Sequence, residues 1–203
     1  MKNLVFLFVL FFSFSVYAGD KVGKLEIGDK AVLTDVKMTD VTGKSLSLSD
    51  VKDENGLLVL FSCNTCPFVK KWEGRYNDIK AWADKNDVGM IVLNSNYQKR
   101  SGDDSMEAMQ QKADDHDYAF YYVVDEDSKI ANAFGGQTTP HAFLFDGDFN
   151  LAYKGLIDDN HDSADDVSKA YLKDAISSLA SGEEVAVTET KPIGCSIKRK
   201  VDQ

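Results

Sequence analysis

The chain has 203 residues, of which 43% are apolar and 28% are charged, and its formal net charge is −10 at pH 7. This length and apolar content suit one globular domain with its own core. The acidic balance disfavours nucleic acids and anionic membranes as partners bound through charge. Three cysteines are too few for a scaffold held together by disulfides.

The first residues predict a signal peptide. Lys2 precedes an unbroken apolar run from Leu4 to Phe12, and Val16-Tyr17-Ala18 supplies small residues ahead of a cleavage site. The apolar run is shorter than the roughly 20 residues that cross a bilayer. We therefore predict a cleaved signal peptide at residues 1–18, export to the periplasm or secretion, and no stable membrane anchor in the mature protein.

The first half of the remaining chain predicts a hairpin followed by a strand–helix–strand unit. Residues 31–50 indicate a β-hairpin that turns at Gly43, and the apolar run 57–61 indicates a strand buried on both faces. The apolar residues then recur every three or four positions, as in a helix packed on a sheet: Phe68, Trp72, Tyr76, Ile79 and Ala83. Residues 89–94 indicate the next buried strand, which predicts a parallel pair.

The second half predicts further alternation of strands and helices. Helices are expected at 105–115, 128–134 and 167–179, and strands at 119–124, 142–145 and 151–155, the last two antiparallel. Asp103 and Asp104 are interpreted as surface charge at a helix end. We predict one α/β domain over residues 19–203, with a central mixed sheet flanked by helices and a C-terminal tail from about residue 183.

The predicted strand at 57–61 leads directly into Cys63-Asn64-Thr65-Cys66. A disulfide within so short a loop contributes only about 2 kcal/mol of stability, so the pair suits reversible redox chemistry better than structural cross-linking. We expect Cys63 at the start of a helix, where free backbone N–H groups and the helix dipole favour the thiolate. Cys66, one turn later, can then resolve a mixed disulfide.

Thr139-Pro140 is the second informative stretch. A proline just before a strand is usually an ordinary edge or turn residue. Together with the cysteine pair, it predicts a cis-proline loop packed against the cysteines, with the Thr139 backbone available to an extended partner. Cys195, in the tail, is open to two interpretations: a lone thiol, or a resolving cysteine or relay member that reaches Cys63 or Cys66.

These stretches resemble a known family. Cys63-Asn64-Thr65-Cys66-Pro67 and Thr139-Pro140-His141 resemble the thioredoxin superfamily, and in particular its peroxiredoxin-like branch, the AhpC/TSA-type redoxins. The resemblance covers about residues 25–200. It implies a thioredoxin-like fold with an N-terminal β-hairpin extension, a catalytic Cys63 nucleophile with Cys66 resolving, and a partner groove at Thr139 and Pro140. It also implies no cofactor or bound metal, and electron exchange with a dithiol or disulfide protein.

The principal prediction is therefore a thiol–disulfide oxidoreductase, with two alternatives. The first is a thiol peroxidase that uses Cys63, although Gly56 and Leu60 replace the proline and threonine that lie upstream of the peroxidatic cysteine in peroxiredoxins. The second is an envelope copper-binding chaperone that uses Cys63, Cys66 and His141. Thioredoxin's buried acidic residue also has no counterpart near Leu57.

Overall fold

Strand β3 (Gly56–Ser62) lies at the centre of a five-stranded sheet in the computed structural model, which describes residues 23–200. All of its residues are buried, as expected of a strand covered on both faces. The predicted signal peptide at 1–18 lies outside the described residues.

The other elements of the described chain follow in order. The strands are β1 (Met38–Thr39), β2 (Ser45–Leu46), β4 (Val88–Asn94), β5 (Tyr121–Val124), β6 (Thr138–Thr139), β7 (His141–Asp146), β8 (Leu151–Gly155) and β9 (Cys195–Ser196). The α-helices are α1 (Leu48–Val51), α2 (Pro67–Trp72), α3 (Tyr76–Lys85), α4 (Met106–Asp115), α5 (Lys129–Phe134) and α6 (Tyr171–Ala180). Within residues 23–200, every helix is too short or too polar to cross a membrane.

The sheet is mixed, with strand order β5-β4-β3-β7-β8. Strands β3, β4 and β5 run parallel, whereas β7 and β8 join by antiparallel pairing. This confirms the predicted parallel pair and the antiparallel return. Strand β3 pairs with β7 from Gly56 opposite Asp146 to Phe61 opposite His141. The carboxyl end of β3 is thereby placed beside the start of β7, which brings Cys63 close to Pro140.

The core forms two layers because β3 points alternate side chains to opposite faces of the sheet. Leu58 and Leu60 pack with Ile79 of α3 and with residues of α6. Leu57, Val59 and Phe61 pack with the β1–β2 hairpin and with residues of α1 and α5. Helices thus cover both faces, as predicted, and each fully buried Leu or Phe contributes about 1.5–3 kcal/mol.

The hairpin is confirmed, but two predicted helices differ from those observed. The helical stripe from Phe68 to Ala83 is divided into α2 and α3 by a 3₁₀ turn, Glu73–Arg75, at whose centre lies Gly74, a weak helix former. The last helix begins at Tyr171 rather than at 167. In the preceding loop, the side chains of Asp159 and Asn160 accept hydrogen bonds from backbone N–H groups. These side-chain hydrogen bonds compete with the backbone hydrogen bonds of a helix.

Candidate active site

The Cys63–Cys66 pair lies where β3 gives way to α2. Cys63 follows the last strand residue, and Cys66 is the N-cap of α2 because Pro67 takes the first helical position, for which its fixed φ is suited. The expectation that Cys63 lies at the helix start is therefore wrong. The unpaired N–H groups and the positive end of the helix dipole act on Cys66.

Thr139 contacts both thiols. Cys63 Sγ lies 3.2 Å from the Thr139 hydroxyl oxygen, and Cys66 Sγ lies 3.1 Å from the Thr139 carbonyl oxygen. The Thr139–Pro140 peptide bond is cis, as the sequence predicted. The structure thus brings Cys63, Cys66, Thr139 and Pro140 together. Both thiols are almost covered, since Cys63 is 2% exposed and Cys66 5% exposed.

Cys195 joins the same cluster from the C-terminal tail. Strand β9 pairs antiparallel with β6, with Thr139 opposite Cys195 and Thr138 opposite Ser196. Cys195 packs against the buried cluster that Cys63 and Cys66 form with Val69. It is the most exposed of the three thiols. Residues 195–198 of the predicted C-terminal tail therefore lie along the edge of the site.

Hydrogen bonds within the cluster shift the pKa values of the two buried thiols in opposite directions. A hydrogen bond from the Cys63 thiol is the main cause that lowers the pKa of Cys66 to about 4, and the Cys195 thiol and the Val69 N–H add to it. The same hydrogen bond, followed by burial, raises the pKa of Cys63. The Cys66 S–H donates to the Thr139 carbonyl (3.1 Å), a contact that favours the protonated form of Cys66 and opposes the lowering of its pKa. The two buried cysteines thus favour a single thiolate between them.

Asn64, between the two cysteines, is held by a hydrogen bond at each of its polar groups. Its backbone N–H donates to Asp104 (2.8 Å), and its side-chain amide donates to the carbonyl of Asp103 (2.8 Å). Its side-chain oxygen accepts from the Tyr122 hydroxyl (2.8 Å), and its carbonyl accepts from Lys112 Nζ (3.2 Å). A satisfied buried polar network of this kind fixes one conformation of the loop.

Asp104 organises this network from a fully buried position, so its interpretation as surface charge is wrong. Besides the Asn64 N–H, it accepts from the side-chain amides of Asn94 (2.8 Å) and Asn96 (3.0 Å). The sequence carried one signal for these residues. Asn94 is the last residue of buried strand β4, which runs parallel to β3, and Asn96 follows two residues later, so both lie at the same sheet edge as Cys63.

His141, which the copper-chaperone alternative uses as a metal ligand, is buried and makes a different interaction. Its Nδ1 accepts a hydrogen bond from the Gln137 N–H (3.2 Å), and its ring packs on Phe143. Burial lowers the pKa of His141 to about 3. Among residues 23–200, no group of three His, Cys, Asp or Glu side chains converges to hold a metal. The geometry therefore gives no support to a site formed by Cys63, Cys66 and His141.

Solved structures share this architecture over most of the chain. A hypothetical protein from Sinorhizobium meliloti is 28% identical, with a TM-score of 0.80, and the match covers 89% of this chain and 98% of that one. An uncharacterized conserved protein from Geobacillus kaustophilus is 30% identical, with a TM-score of 0.81, covering 88% and 94%. A secreted disulfide oxidoreductase from Mycobacterium tuberculosis is 13% identical, with a TM-score of 0.52, covering 73% and 96%.

The distant match is evidence for the fold alone, and it agrees with the predicted thioredoxin-like architecture. No curated protein matches the chain. The AhpC/TSA family model matches residues 27–154, which is more than half of the 203 residues. That segment runs from the residues before the hairpin into β8 and contains Cys63, Cys66, Thr139 and Pro140. The chain therefore belongs to the AhpC/TSA family of redoxins.

Proposed function

We propose that this protein is a thiol–disulfide oxidoreductase whose redox couple is Cys63 and Cys66. The observation that carries the proposal is the contact of both thiols with Thr139, the residue before cis-Pro140. In this arrangement two thiols share one proton within a closed, hydrogen-bonded loop. The reduced form therefore holds a thiolate ready to attack a disulfide, together with a second thiol that can complete the exchange.

The exchange proceeds in two balanced steps. The Cys66 thiolate attacks one sulfur of a partner disulfide, which forms a mixed disulfide and releases the partner's other sulfur as a thiolate that takes up a proton. The Cys63 sulfur then attacks Cys66 Sγ, which forms the Cys63–Cys66 bond and releases the partner's second thiol. Two electrons pass to the partner. The reverse sequence oxidises a dithiol partner.

These roles differ from the assignment made from sequence, in which Cys63 attacks and Cys66 resolves. The difference follows from the helix start, because α2 begins one residue after Cys66 and its N-terminal dipole stabilises that sulfur. We propose a protein or small-molecule thiol as the exchange partner. We also propose export to the periplasm or secretion, on the strength of the predicted signal peptide at residues 1–18 and of the secreted disulfide oxidoreductase that shares the fold.

The decisive experiment is a redox titration in glutathione buffers, with acid quenching, alkylation of free thiols and mass mapping. A reversible two-electron Cys63–Cys66 disulfide is expected in the wild-type protein and in the Cys195→Ser variant. The Cys63→Ser and Cys66→Ser variants should each lose it. The proposal fails if the Cys195→Ser variant forms no intramolecular disulfide at any buffer potential while it remains folded.

Reduction of hydroperoxides is a second candidate, favoured by the family and by the stabilised Cys66 thiolate. The thiolate would attack one peroxide oxygen, so that the O–O bond breaks, an alcohol or water leaves after taking up a proton, and Cys66 becomes a sulfenic acid. The Cys63 thiol would then attack that sulfur, releasing water and forming the same disulfide. Stopped-flow consumption of hydrogen peroxide tests this activity. A rate no faster than that of a free thiolate would exclude it and leave disulfide exchange as the function.

A further inference from the structure

The C-terminal tail occupies the backbone edge that a partner strand would use. Strand β9 pairs with β6, the Ile197 N–H donates to the Gln137 carbonyl (3.1 Å), and the Lys198 N–H donates to Asn96 Oδ1 (2.8 Å). Ile197 is itself buried in the core layer that contains Phe61. Backbone pairing and an apolar anchor together fix the tail in one register.

Gly194 shows how closely the tail approaches the site. A Cβ atom at this position would lie 2.3 Å from the Thr139 carbonyl oxygen, a contact that no side chain tolerates. The same carbonyl oxygen lies 3.1 Å from Cys66 Sγ. The next residue, Cys195, is therefore held beside the buried cluster that contains Cys66.

The three cysteines differ in how accessible they are to solvent. Cys63 and Cys66 are buried, whereas Cys195 is only partly covered. A protein dithiol that approaches the docked tail therefore reaches Cys195 before it reaches the buried pair. Cys66 lies in one buried cluster with Cys63, and Cys195 packs against that cluster opposite Thr139, whose carbonyl Cys66 contacts. Cys66 is therefore placed to form a disulfide with either of the other thiols.

We propose that Cys195 is the thiol that delivers the disulfide of the buried pair to a protein dithiol, an inference that rests on the proposed function of Cys63 and Cys66. The Cys195 sulfur attacks Cys66 Sγ, so the Cys66–Cys195 bond forms and the Cys63–Cys66 bond breaks. Cys63 leaves as a thiolate and takes the proton that Cys195 loses. No electrons enter or leave in this step, and the disulfide moves to the surface.

A thiolate of the partner dithiol then attacks Cys195 Sγ. The Cys66–Cys195 bond breaks, and Cys66 leaves as the thiolate that the site already stabilises, which makes it a good leaving group. The partner's second thiol attacks the mixed disulfide and releases Cys195 as a thiol. Two electrons have passed from the partner to the protein. All three cysteines are then reduced, and the disulfide that began on the buried pair has been transferred to the partner.

Mass mapping of trapped disulfides in the full-length protein tests this relay. The wild-type protein, oxidised in a glutathione buffer and quenched with acid, should contain both Cys63–Cys66 and Cys66–Cys195. The Cys63→Ser variant should form Cys66–Cys195 quantitatively, and the Cys195→Ser variant should form only Cys63–Cys66. The rate at which a protein dithiol reduces the oxidised protein should fall in the Cys195→Ser variant.

A matched control moves the thiol by one residue. The double variant Cys195→Ser with Ser196→Cys keeps three cysteines, but the new thiol lies on the opposite side of β9. It should behave like Cys195→Ser. The relay is overturned if the moved thiol bonds to Cys66 as readily as Cys195 does, or if the wild-type protein and the Cys63→Ser variant contain no Cys66–Cys195 bond. A Cys195→Ser variant that still forms Cys63–Cys66 reversibly shows that the proposed function stands without the relay.

Discussion

Thr139 and Cys195 face each other across the antiparallel pairing of β6 and β9. The backbone edge next to cis-Pro140 is therefore paired within the chain. Thr139 also contacts both buried thiols: its hydroxyl group lies near Cys63 Sγ, and its carbonyl oxygen lies near Cys66 Sγ. One residue thus links the tail to both members of the redox pair, so displacement of the tail should alter the reactivity of the pair.

Gly194→Ala should displace the tail. The new Cβ would lie 2.3 Å from the Thr139 carbonyl oxygen, so β9 has to move away from β6. We expect a loss of about 1–3 kcal/mol in the free energy of unfolding, typical of overpacking, and faster alkylation of Cys66. Gly74→Ala is the control, because a Cβ there meets no atom within 4 Å. Unchanged alkylation of Cys66 in the Gly194→Ala variant would contradict the prediction.

The reduced protein should carry one thiolate at neutral pH. Because the hydrogen bond from Cys63 is the main cause of the low pKa of Cys66, ultraviolet thiolate absorbance should persist at pH 7 and disappear as the pH falls through about 4. Cys63→Ala removes that donor, so the titration should move upward toward the ordinary cysteine pKa of about 8.5. Cys195→Ala should cause a smaller upward shift. Absorbance that first develops near the ordinary pKa in the wild-type protein would refute the assignment.

Asp104→Ala should both destabilise the protein and slow disulfide exchange. The substitution leaves the Asn64 N–H and the side-chain amides of Asn94 and Asn96 without their shared acceptor. Leaving buried donors without a charged acceptor lowers the free energy of unfolding by about 3 kcal/mol or more. Chemical denaturation measures the stability. The rate of disulfide exchange with glutathione shows whether the loop between Cys63 and Cys66 keeps its reactive conformation. Asp103→Ala is the matched control, since its side chain is exposed and forms only a 3.6 Å ion pair with Lys99. Equal losses in the two variants would count against the network.

The sequence predicted the features that depend on local pattern. The continuous apolar run of β3 and the recurring apolar positions from Phe68 to Ala83 follow directly from the side-chain periods of strands and helices. The cis-proline loop was predicted from the joint presence of Cys63-Asn64-Thr65-Cys66 and Thr139-Pro140. The placement of both thiols on Thr139 agrees with that prediction.

The features that the sequence did not predict depend on long-range contacts. Strand β9 has two residues, too few for any periodicity, and it forms only because β6 offers an edge. Asp104 is buried because Asn64, 40 positions away, donates to it. The proposed exchange of roles between Cys63 and Cys66 rests on a single residue, because Pro67 takes the first position of α2. A shift of one turn in a helix start moves the dipole from one thiol to the other.

His141 should make the protein sensitive to acid. Burial lowers its pKa from the ordinary 6.5 to about 3, and the positive charge of Lys154 adds to the effect. Between these two pKa values the unfolded chain binds a proton that the folded protein excludes. The stability contribution of neutral, buried His141 is therefore fully present above about pH 6.5 and is lost as the pH falls toward 3. For one proton, the free energy of unfolding should fall by at most about 1.4 kcal/mol per pH unit in this range.

Urea denaturation of the wild-type protein and the His141→Asn variant between pH 7 and pH 4 measures this contribution. Asparagine keeps an acceptor for the Gln137 N–H but does not titrate. The variant should lose some stability at pH 7 and show a shallower decline toward pH 4. His116→Asn is the control, because it removes an imidazole from the surface and leaves the buried ring in place. Parallel curves for the wild-type protein and His141→Asn would show that His141 takes up its proton in the folded state, which its burial between Gln137 and Phe143 should prevent.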